Sequence, residues 1–86
     1  MNSKIFVGNL SWNATEEAMK ELFSEFGEVL SARIVSDPYT GRSKGFGFVE
    51  MADETALTLA IEKLDNYTFV NRPIRVSRAH AEHRNK

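Results

Sequence analysis

The sequence predicts an α+β fold, a two-layer βαββαβ arrangement with two helices on one face of a four-stranded antiparallel sheet. Three observations carry this. Short segments at 4–10, 30–36, 44–51 and 74–77 alternate side chains as strands do. Between them, Met19, Leu22, Phe23 and Phe26, and then Ala56, Leu57, Ala60, Ile61 and Leu64, repeat with helical spacing. A chain of 86 residues makes one small domain, so all these elements share a single core.

Each element follows from local chemistry. In the first strand, "KIFVGNL", Ile5 and Val7 face one way and Lys4, Phe6 and Gly8 the other. Thr15 is placed to cap the first helix, with Glu16 and Glu17 on its electropositive first turn. Gly27 follows the apolar stripe and reads as a C-terminal stop. The second strand, "LSARIVS", sets Ala32 and Ile34 against Arg33 and Val35. "DPYTGR" is loop chemistry and leads into the third strand, "KGFGFVEM". Asp53 is a cap for the second helix. "DNYTFVNR" turns the chain, with room for a small hairpin, and Pro73 leads into "IRVS". The domain is expected over 1–79, and 80–86 is a polar, basic tail expected to be flexible.

The two helices fix the faces of the sheet. They cover the aliphatic side: Ile5, Val7, Ala32, Ile34, Val49, Met51, Ile74 and Val76. Gly47 shares that side, where a closely crossing helix is expected to need the room. The other side collects Lys4, Phe6, Arg33, Val35, Lys44, Phe46, Phe48, Glu50, Arg75 and Ser77. In a split βαβ (ferredoxin-like) strand order the first and third strands are central, which brings Phe6, Phe46 and Phe48 together. Bare aromatics among cations stabilise a small protein poorly. They hold nucleobases well, since stacking is worth roughly 1–3 kcal/mol per base and the cations meet phosphates.

Composition narrows the alternatives. The chain has no cysteine, so neither a disulfide framework nor a thiolate metal site is expected. No leader or membrane-length apolar run is evident, and an intracellular, cytoplasmic location is expected. Net charge is -1, but it is unevenly spread. Glu16, Glu17, Glu21, Glu25 and Glu28 face only Lys20, whereas Arg72, Arg75, Arg78, Arg84 and Lys86 face only Glu82. Local potential steers a ligand more than net charge does.

"KGFGFVEM" and "IFVGNL" are similar to the RNP1 and RNP2 elements of the RNA recognition motif, in the right order and on the strands just assigned. The likeness spans about residues 3–79, including "TEEAMKELFSEFGEV" and "DPYTGRSKGFGFVEM". It implies that Phe6, Phe46 and Phe48 contact bases and sugars and that Lys44 contacts phosphate or sugar. Met51 departs from the usual aromatic at the end of RNP1; it faces the helices and leaves the platform intact. Within the family the chain resembles short, single-domain bacterial RNA-binding proteins.

Several residues carry two readings. Arg75, Ser77, Arg78 and His80 stand where the chain leaves the sheet, either as a solvated end or as a cover over a bound strand. Arg33 stands on the sheet surface. Arg42, in "TGRSKG", either binds phosphate or belongs to a plain loop. Trp12 either extends the stacking surface or, as expected, packs against the start of the first helix. Glu50 puts a negative charge on the phosphate-facing side, at the rim or as an acceptor for a base. His80 and His83 lack further ligands, so no metal site is expected, and no cofactor is implied.

The function expected is therefore a monomeric module for single-stranded RNA. The alternatives are single-stranded DNA on the same face, or a protein-interaction module. An enzyme is not expected. The related acylphosphatase architecture needs an arginine after the first strand, and "GNLSWN" has none.

Overall fold

A computed structural model describes residues 4–41 and 43–79, apart from the side chains of Ser43 and Lys44. Its elements are β1 (Lys4–Gly8), α1 (Glu16–Ser24), β2 (Val29–Ser36), β3 (Ser43–Met51), α2 (Glu54–Leu64), β4 (Thr68–Phe69), β5 (Arg72–Pro73) and β6 (Arg75–Arg78). The main sheet is antiparallel in the order β2-β3-β1-β6. β1 and β3 are thus the central pair, as the sequence predicts. The tail at 80–86 lies outside the described residues.

The caps act as expected. Thr15 Oγ1 accepts from the Ala18 N–H at 3.1 Å, and Asp53 Oδ2 accepts from the Ala56 N–H at 3.0 Å. Each satisfies a donor that the first helical turn leaves without an intrahelical partner. Helix α1 stops earlier than the apolar repeat suggests, and Phe26 lies past its end. Gly27 is not a left-handed stop. A Cβ there would lie 2.5 Å from the Ala56 Cβ, so the glycine lets the chain pass tightly against α2.

The core lies between the helices and one sheet face. Ile5, Val7, Val49, Met51, Ile74 and Val76 are buried against Met19, Phe23, Leu57, Ala60 and Leu64. Ala32 and Ile34 are only partly buried, because β2 is an edge strand with register shifts at Val29/Ser31 and Ile34/Ser36. Gly47 has a different cause from the one expected. A Cβ there would fall 2.2 Å from the Arg33 carbonyl oxygen, so β2's backbone, not a helix, excludes it.

The chain returns through a hairpin of β4 and β5. Its turn residues Val70 and Asn71 both have positive φ, at 52° and 67°. That conformation matches the twist of a tight hairpin, and it is unusual for a β-branched residue. The last strand begins one residue later than expected. The Ile74 N–H bonds Tyr67 and its carbonyl accepts from Asn66, which ties Ile74 to the hairpin crossing.

A carboxylate guards each outer edge of the sheet. Glu16 of α1 accepts from the Ile34 N–H of β2 at 2.8 Å. Asp65, at the C-terminal cap of α2, accepts from the Val76 N–H of β6 at 2.9 Å. These two acids therefore tie the helices to the sheet edges.

Candidate nucleic-acid interface

The sheet face away from α1 and α2 is built from the central strands outward. Register places Phe6 of β1 directly across from Phe48 of β3, and Gly8 across from Phe46. Strand alternation then puts all three rings on the side away from the helices. Their centroids form a triangle: Phe6–Phe46 5.9 Å, Phe6–Phe48 5.8 Å and Phe46–Phe48 6.2 Å. The first pair is tilted by 30°, and the other two meet edge to face at 66° and 85°. Such edge contacts brace the rings sideways while each keeps surface for a ligand. All three are half-buried.

Polar groups surround the triangle. Lys4 holds its Nζ 6.0 Å from the Phe48 ring centroid, within reach of a cation–π attraction. Across β3, Arg33 pairs with Phe48 in register, and Ser31 pairs with Glu50. Lys4, Ser31, Arg33, Val35, Phe48 and Glu50 line a depression of about 310 Å³. On the other flank Ser77 pairs with Phe6 and Arg75 with Gly8. Arg75 is exposed, and its Nε lies 3.6 Å from Asp65 Oδ1.

The structure thus gathers Lys4, Phe6, Arg33, Phe46, Phe48, Arg75 and Ser77 on one face. It does not bring Arg78 there. Arg78 pairs with Ile5 in register, which turns it to the helix side. There it forms an ion pair with Glu54 and approaches Thr58 Oγ1 at 3.5 Å. Its expected place over a bound strand is therefore corrected. Carrying the alternation one residue past Ser77 would have shown this. Arg42, the Lys44 side chain and His80 lie outside the described residues. Trp12 is 64% exposed, so the expected packing on the first helix does not bury it. Sequence reasoning missed Ser31, although alternation back from Val35 and Arg33 places it on this face.

The geometry is a cation-flanked aromatic platform. A model of the RNA recognition motif matches residues 5–75. The chain belongs to the RNA recognition motif family. Among its relatives is the chloroplastic 28 kDa ribonucleoprotein of Spinacia oleracea, 49% identical over 74 residues, or 86% of this chain and 32% of that one. Another is the mitochondrial glycine-rich RNA-binding protein 2 of Arabidopsis thaliana, 43% identical over 79 residues, or 92% of this chain and 50% of that one. The chain therefore spans half or less of these relatives. They belong to plant organelles, and the expected likeness to short bacterial proteins is not supported.

Solved structures agree on the RNA recognition motif architecture. The crystal structure of RNA binding protein PG1 has a TM-score of 0.85 at 46% identity, covering 88% of this chain and 92% of that one. The Sxl-lethal protein/RNA complex has a TM-score of 0.86 at 31% identity, covering 93% of this chain and 48% of that one. No helix among the described residues is long and apolar enough to cross a membrane.

Proposed function

We propose that this chain is a single-stranded RNA-binding module that stacks bases on Phe6, Phe46 and Phe48. One observation carries the reading: three rings within about 6 Å of one another stand on the sheet face that, among the described residues, no helix covers. Unstacked bases match such a surface, and the walls of a duplex groove do not. Lys4, Arg33 and Arg75 meet phosphates, and Ser77 meets a sugar or base edge. Arg42, Lys44 and His80 are assigned to the same role from the sequence alone. The similarity to a protein solved with RNA supports RNA over DNA as the ligand.

The work done is binding, without catalysis, and the chain acts as a monomer over residues 1–79. A cytoplasmic location is part of the same proposal. The organellar relatives extend the same proposal to plastids and mitochondria.

The test is a titration with random single-stranded RNA, the matching DNA and duplex RNA, beside a Phe46→Ala/Phe48→Ala variant. RNA is expected to bind best and duplex worst, and the variant is expected to lose roughly 1–3 kcal/mol per stacked base. Equal binding by the variant, or indifference of the wild type to all three ligands, would overturn the reading.

A further inference from the structure

Glu50 is out of place on a face built for phosphates. It stands opposite Lys4 in register, yet Lys4 leans over the Phe48 ring, and among the described residues no ion pair involves Glu50. Among the described residues the contact its carboxylate makes is weak: the Ser31 hydroxyl donates to Oε1 at 3.5 Å. Toward the described residues both oxygens keep free lone pairs at the wall of the depression that Phe48 also lines. A negative charge here lowers affinity for any polyanion, so its return must lie in discrimination among bases.

We propose that Glu50 makes this depression a guanine-selecting subsite. The inference rests on the RNA-binding reading and names the base that one part of the platform prefers. A carboxylate offers two parallel acceptors and no donor. Guanine is the one common base whose Watson–Crick edge offers two adjacent donors, N1–H and the N2 amino group. Adenine and cytosine set an acceptor nitrogen beside their amino group, and uracil flanks its N3–H with two carbonyls. Each of those three turns an acceptor toward one carboxylate oxygen. Phe48 supplies the stacking surface, and Ser31 steadies Oε1. Lys4 and Arg33, on the same walls, offset the charge and meet the O6 carbonyl or the flanking phosphates.

The experiment uses the full chain and oligouridine octamers carrying one central guanine, adenine, cytosine or inosine, read by fluorescence anisotropy. Guanine is expected to bind roughly tenfold tighter than adenine or cytosine. Inosine lacks the N2 amino group and is expected to fall several-fold below guanine. Glu50→Ala is expected to erase the guanine advantage and to bind plain oligouridine no worse than the wild type. Glu50→Gln is expected to shrink the gap between guanine and inosine. Wild-type binding without a guanine preference, or a preference that survives Glu50→Ala, would overturn the subsite and leave the platform standing. Failure to bind any octamer would overturn the platform and the subsite together. Unchanged melting temperatures separate these outcomes from misfolding.

Discussion

Gly47 marks how tightly β3 lies against its neighbour. The missing Cβ would meet the Arg33 carbonyl at 2.2 Å, and backbone in mid-sheet moves little. Gly47→Ala should therefore destabilise the fold by about 2 kcal/mol, within the usual range for overpacking, as read by urea denaturation. Two arginines make a second prediction. Arg75 is exposed beside the platform, whereas Arg78 is held by Glu54 on the helix side. Arg75→Ala should weaken RNA binding at every sequence and lower the salt slope by about one contact's worth, roughly 0.7. Arg78→Ala should leave that slope unchanged. Equal slopes for both variants would show that Arg75 makes no phosphate contact.

At the scale of elements, the helices depend on their caps. Thr15→Ala and Asp53→Ala should each cost about 1 kcal/mol of stability, additively, since the sites share no partner. Thermal melts of the single and double variants check this. These caps were legible in the sequence because a cap is local: a hydroxyl or carboxylate, then an apolar stripe. The aromatic triangle was legible because strand alternation assigns Phe6, Phe46 and Phe48 to one face once the helices claim the other. What depended on register between strands was not legible. Gly47 looked like clearance for a helix because nothing in the sequence says which carbonyl lies beside it. Arg78 looked free to cover a bound strand because the strand runs one residue further than its apolar pattern. The edge bonds of Glu16 and Asp65 were not legible because their donors are edge N–H groups distant in sequence.

The whole molecule separates its charges. Acid concentrates on the helices and base on the open sheet, so a net charge of -1 coexists with a face suited to phosphates. Affinity for single-stranded RNA should fall as salt rises, with a log–log slope near -0.7 for each phosphate neutralised, measured across a salt series. Removing both edge guards, by Glu16→Ala with Asp65→Ala, should raise self-association, seen as a growing scattering mass at constant protein concentration. Under the proposed function, the guards bear on how copies of this domain would share a transcript. Copies lined up on one RNA would experience effective concentrations in the millimolar range, where bare strand edges favour pairing between neighbours. With one N–H of each outer strand already held by a carboxylate from its own helix, neighbouring copies would be less prone to pair edge to edge and would come apart with the RNA.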